Sequence, residues 1–128
     1  MNINVTKTAA ILICLLGLLV PLAIAFNAAS EVVGTWNCTS TKTPLGDLAW
    51  NVSIKEDGGK LLGTAACEEL GTFRLSEIKL DENAFSFVFY PSGNHVLVKT
   101  AIKQGSMTGT WEMEGGSAGE FKGTKTKD

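Results

Sequence analysis

A single histidine, His95, serves the whole chain of 128 residues. Hydrolytic chemistry needs a nucleophile, a base and an orienting group within mutual reach. His95 opens a strand on the solvent side, Ser92 sits in the neighbouring turn, and no acid is placed to orient either. The carboxylates Glu68, Glu69, Asp81 and Glu82 fall at strand ends or turns, where solvation accounts for them. Phosphate loops and dinucleotide fingerprints are missing, and EGGSAG (114–119) reads as a flexible turn. Cysteine is scarce too. Two thiols and one distant histidine are too few ligands for a zinc site. No catalytic residue, cofactor or metal is therefore expected. Charge is sparse and balanced: eleven Lys and Arg face thirteen Asp and Glu, a formal net charge of −2. Nucleic-acid binding needs a basic patch, and the three lysines of FKGTKTKD (121–128) suit a solvated terminus better.

What the chain does have is one long apolar run, AAILICLLGLLVPLAIAF (9–26), with Lys7 as the only charge before it. A basic start, an apolar stretch and the small-x-small ending Ala23-Ile24-Ala25 form a secretory signal. Residues 1–25 are read as a signal peptide and 26–31 as a linker, with an uncleaved membrane anchor as the alternative. Export to a secreted, periplasmic or other extracytoplasmic site follows. Cys38 and Cys67 then remain after cleavage, an even count in an oxidising compartment, which favours one bridge. Asn37-Cys38-Thr39 and Asn51-Val52-Ser53 match the glycosylation sequon and matter only in a glycosylating host.

From Val32 onward the apolar period is two. Leu48, Trp50, Val52 and Ile54 alternate with polar residues, and so do Phe85, Phe87, Phe89, then Val96, Val98, then Met107, Trp111, Met113. Such alternation puts the two sets on opposite faces of strands. Eight strands are expected, at about 32–40, 47–56, 60–67, 72–80, 84–90, 95–103, 106–113 and 118–126. A turn at Asp57-Gly58 pairs Ile54 with Leu61, one at Gln104-Gly105 pairs Ile102 with Met107, and one at Glu82-Asn83 pairs Leu80 with Phe85. A four-residue turn at 91–94 pairs Phe89 with Val96. In the fourth strand Phe73 and Leu75 do not share parity with Ile78 and Leu80, so a bulge is expected near Ser76. Three phrases repeat Gly, polar, apolar, variable, Gly, Thr: GKLLGT (59–64), GSMTGT (105–110) and GEFKGT (119–124). Their second glycines, Gly63, Gly109 and Gly123, point inward, leave room for a neighbouring ring and let the strand coil. Short meandering strands with inward glycines suit an all-β, eight-stranded antiparallel up-and-down barrel over 32–126, with an open two-sheet sandwich as the rival.

Val33-Gly34-Thr35-Trp36 on the first strand resembles the Gly-x-Trp signature of the calycins, meaning lipocalins, fatty-acid-binding proteins and avidins. DGGKLLGT (57–64) is similar in style to avidin-like hairpins, and bacterial metalloprotease inhibitors with a related barrel are similar in size and cysteine number. The resemblance implies the barrel and a basic residue late in the chain over Trp36, for which Lys122 and Lys125 are candidates. Biotin binding is not carried over, because polar partners facing inward are nearly absent.

A barrel of this size is either filled by side chains or holds one small ligand. Any guest should be apolar, since a polar one needs buried partners. Trp36, Trp50, Phe87, Val98 and Trp111 are the candidate ligand-binding residues. Cys38 and Cys67 lie inward near one end but on strands one and three, about 9.5 Å apart, so a bridge requires that end to pinch. On the outer wall Val88 and Tyr90, opposite Leu97 and His95, mark a candidate interface. Two functions follow: a binding module for a small apolar ligand, or a protein-interaction module such as an inhibitor or surface accessory. A third, an enzyme at a barrel mouth near Glu68, Glu69 and Tyr90, ranks below both.

Overall fold

A computed structural model describes residues 29–127, so the expected signal segment lies outside the described residues. Residues 29–32 form a helical turn, and nine strands follow. They are β1 (Gly34–Thr43), β2 (Gly46–Asp57), β3 (Lys60–Cys67), β4 (Gly71–Arg74) and β5 (Ser76–Asp81). Then come β6 (Ala84–Phe89), β7 (Val96–Lys103), β8 (Ser106–Met113) and β9 (Ala118–Lys127). All pairings are antiparallel, in the order β4-β3-β2-β1-β9-β8-β7-β6-β5. The two edge strands, β4 and β5, are consecutive in the chain. The sheet is thus a nearly closed barrel whose last gap the chain itself spans at Leu75.

Nine strands replace the eight expected because the fourth segment changes partner half-way. Its first half pairs with β3, and the Leu75 amide still donates to the Gly63 carbonyl at 2.9 Å. Its second half pairs with β6. The switch coincides with a bulge between Ser76 and Lys79, where Glu77 adopts a φ of 47°. An extra residue reverses the in–out alternation. Phe73 and Leu75 therefore face the interior before it, and Ile78 and Leu80 pack against the core after it.

The hairpins at β5–β6, β6–β7 and β7–β8 have the expected registers, including Leu80 opposite Phe85, Phe89 opposite Val96 and Ile102 opposite Met107. The β2–β3 hairpin does not: its loop is Gly58-Gly59, so Ile54 faces Gly63 and Val52 faces Ala65. A type I′ turn needs positive φ at both central positions. Two glycines, at 59° and 83°, provide this without side-chain strain. The shift is two residues, which leaves the inward set unchanged.

The two ends of the barrel differ. Two-residue loops close one end at 58–59, 82–83 and 104–105. The helical turn caps the same end. Val32 is fully buried, its carbonyl accepts from Trp36 Nε1 at 2.9 Å, and Lys125 Nζ donates to the carbonyls of Ser30 and Glu31 at 3.1 Å each. Lys125, rather than Lys122, stands 6.0 Å from the Trp36 ring centre, whereas Lys122 pairs with Glu120 on the surface. The other end carries a two-residue loop at 44–45 and the longer loops at 68–70, 90–95 and 114–117, among them a single 3-10 turn at Pro91–Gly93.

Trp36, Trp50 and Trp111 are all buried, with Phe85, Phe87, Phe89 and Phe121. Each indole N–H has an acceptor: the Val32 carbonyl, Ser40 Oγ and the Thr41 carbonyl respectively. Buried tryptophans ordinarily secure one. The third bond depends on a bulge in β1 between Ser40 and Thr43. It is braced by the Lys42 amide donating to Asp47 Oδ1 at 3.2 Å.

The expected bridge is not formed: Cys38 and Cys67 are free, buried thiols. Cys38 pairs with Trp50 of β2, so a strand bearing a tryptophan stands between β1 and β3. Burial pushes the Cys38 thiol up from its ordinary 9.0 to about 12. The thiolate is the reactive form, so on the order of one Cys38 in ten thousand is nucleophilic at pH 8. In the folded protein at that pH Cys38 resists iodoacetamide, while denaturant exposes both Cys38 and Cys67 as alkylatable thiols. Mass spectrometry of the native and denatured products checks this; a Cys38–Cys67 disulfide peptide would refute it. Because the folded value lies above the unfolded one, the stabilisation from a neutral Cys38 is complete below pH 9.0 and is lost as pH rises through about 12.

Candidate functional site

The strand directions bring a layered set of side chains to the long-loop end. Ser40 of β1, Leu48 and Trp50 of β2, Phe89 of β6, Val96 and Val98 of β7, Trp111 and Met113 of β8 and Phe121 of β9 line a cavity of about 200 Å³. Its rim is built by the loops: Pro44 and Leu45 after β1, Leu70 after β3, and Pro91, Ser92 and Asn94 after β6. Below it the barrel is filled. Phe87 lies between Phe85 and Phe89 in tilted contacts at 5.7 and 6.1 Å and meets Phe121 edge-on at 6.0 Å. The aromatic packing and the hollow weighed as alternatives from the sequence thus occur together, the hollow at the long-loop end.

Of the five candidate residues, Trp50, Val98 and Trp111 line this cavity, and Trp36 and Phe87 do not. Trp36 belongs to the capped end, under the helical turn, and Phe87 forms the packing beneath the floor. Parity along a strand tells inside from outside, not depth along the barrel. Phe89, Val96 and Met113 were legible as interior residues but not as the wall of a hollow. Leu45, Leu70 and Pro91 belong to loops, which alternation does not reach.

The wall is apolar with few directional groups. Trp50 meets Phe89 edge-on at 5.1 Å and Phe73 at 6.3 Å, which fixes the indole across one side of the opening. Its N–H donates to Ser40 Oγ at 3.0 Å. Trp111 Nε1 donates away from the cavity, to the Thr41 carbonyl at 2.9 Å. Thr43 Oγ1 is held by the Gly46 carbonyl. No lysine, arginine, histidine or carboxylate lines the space. Among the described residues, no group of three or more His, Cys, Asp and Glu could hold a metal ion.

No protein-family model matches this chain, and no match was found among curated proteins or solved structures.

The outer-face candidates behave differently from one another. Val88 pairs with Leu97 as expected but is buried, although it stands outside the core cluster, and Leu97 is half-buried. Tyr90 is 48% exposed, with its ring edge-on to His95 at 5.5 Å. Leu45, at the rim, is 62% exposed and was not singled out from the sequence.

Proposed function

We propose that this protein is an exported, non-catalytic binding module of calycin-like type that takes a small apolar molecule into the open end of its barrel. One observation carries the reading: a cavity of about 200 Å³ with apolar walls lies beneath the long loops, with a cluster of phenylalanine rings at its floor. An engineered apolar cavity of about 150 Å³ binds benzene, so a space of this size suits a guest of that class. The calycin-like assignment is supported by the nearly closed antiparallel barrel, by the Gly-x-Trp of β1 and by Lys125 beside Trp36. Export is supported by the charge-free run at 9–26.

The test is calorimetric titration with toluene. Wild type binds it, with the negative heat-capacity change of apolar burial. Val98→Trp puts an indole into the space and weakens binding by more than about tenfold, with an overpacking cost to stability of about 1–3 kcal/mol. Absence of binding to wild type, or equal binding by Val98→Trp, defeats the reading.

The exposed Leu45 beside the same opening supports a second reading, in which the rim docks on a protein. Native mass spectrometry of protein purified from its source discriminates: a retained small molecule supports carriage, and a stoichiometric protein partner supports docking.

A further inference from the structure

Ser40 is the one hydroxyl or amide side chain of the cavity wall that is buried, at 5% exposure. Its oxygen accepts from Trp50 Nε1 at 3.0 Å, which fixes the hydroxyl's position. A hydroxyl also carries a proton to donate. Among the described residues no protein acceptor takes it, whereas the other buried hydroxyl, that of Thr100, donates to the Phe85 carbonyl at 2.7 Å. The remaining polar residues around the opening are spent or peripheral. Thr43 Oγ1 is engaged with the Gly46 carbonyl, and Ser92 and Asn94 are exposed on the rim. A buried donor without an acceptor is costly, and here it fronts an apolar hollow of the barrel's interior.

We infer that the cavity selects a small neutral molecule bearing one hydrogen-bond acceptor, such as a ketone, aldehyde or ester, and that the Ser40 hydroxyl donates to it. This rests on the cavity being a ligand site. Size follows from volume: about 150 Å³ holds the six carbons of benzene, so this space takes roughly eight non-hydrogen atoms. A long acyl chain exceeds it. Neutrality follows from the wall. No cation stands in it, and burying a carboxylate without one is prohibitive. An alcohol fits less well than a carbonyl, because once it accepts from Ser40 its own proton meets no further buried side-chain acceptor in the wall.

The experiment compares two guests of equal shape, 2-heptanone and 2-methyl-1-heptene, which differ in C=O against C=CH2. Each is titrated into wild type, Ser40→Ala and Ser40→Thr. The ketone-to-alkene affinity ratio falls about fivefold in Ser40→Ala and is retained in Ser40→Thr, a size of effect typical of one buried hydrogen bond. The carbonyl stretch of bound 2-heptanone shifts to lower wavenumber in wild type relative to a hydrocarbon solvent. This second measurement stands even if Ser40→Ala, which also strips the Trp50 N–H of its acceptor, does not fold. An unchanged ratio, or a bound carbonyl stretch at its hydrocarbon value, overturns the role of Ser40 while leaving the cavity as a site. Failure of both guests to bind wild type overturns the site itself, and the inference with it.

Discussion

Gly109→Ala lowers the free energy of unfolding by about 3 kcal/mol or more, at the top of the range for overpacked interiors. Gly109 faces Thr100 across β7–β8 and Phe121 across β8–β9. A methyl group there overlaps the Lys99 carbonyl oxygen and comes within 2.7 Å of the Lys99 carbonyl carbon and of Thr100 Cα. These are backbone atoms, held by hydrogen bonds on both sides of the sheet, so they cannot turn aside as a side chain would. The whole β7–β8 ladder has to move. Gly123→Ala is the informative comparison. Its methyl meets Cys38 Sγ at 2.5 Å, a side-chain atom that a change of rotamer can shift. Urea denaturation should rank the variants wild type, Gly123→Ala, Gly109→Ala in falling midpoint, with similar slopes. A Gly109→Ala midpoint level with wild type contradicts the close approach of the two strands.

Trp36→Ala costs about 3–5 kcal/mol, the range for removing a large buried aromatic side chain. The ring is fully buried at the capped end. Its loss also frees the Val32 carbonyl and takes away the surface beside which Lys125 stands. The damage should therefore spread to the helical turn. Hydrogen exchange at the Val33 amide, which donates to the Ala29 carbonyl at 3.1 Å, should accelerate far more than exchange in β7. Trp36→Phe separates the two parts: it keeps most of the packing and drops only the hydrogen bond, at a cost of about 1 kcal/mol. A helical turn that keeps its protection in Trp36→Ala would show that Val32 and Lys125 hold it unaided.

The sequence made the barrel legible wherever alternation and turn chemistry agreed. Gln104-Gly105 fits one turn type and one register, and β7–β8 has that register. The parity break after Leu75 announced the bulge. It did not reveal that the strand changes neighbours there, because alternation records which side faces inward and not which strand lies alongside. Asp57-Gly58 and Gly58-Gly59 give the same inward set, so nothing in the pattern chose between them, and the preference for two positive φ angles decided it. The inward glycines were correctly placed, and the room they leave is taken first by other groups than rings. Closest to an added methyl group are the Ile54 and Leu75 methyl groups at Gly63, the Lys99 backbone at Gly109 and the Cys38 sulfur at Gly123. The wall of the cavity was half legible for a related cause. Trp50, Val98 and Trp111 differ from Trp36 and Phe87 in height along the barrel, which appears only once all strands are in register.

The change of partners at Leu75 has a topological consequence. No ladder joins β4 to β5, while β1 and β9, the first and last strands, lie side by side. Read from β5 through β9 and on from β1 to β4, the same sheet is an uninterrupted meander in spatial order. A circular permutant opened between Leu75 and Ser76, with a short tether joining the native ends, would keep every strand pairing and sacrifice a single peptide bond. The molecule has two interchangeable places at which its cylinder can begin.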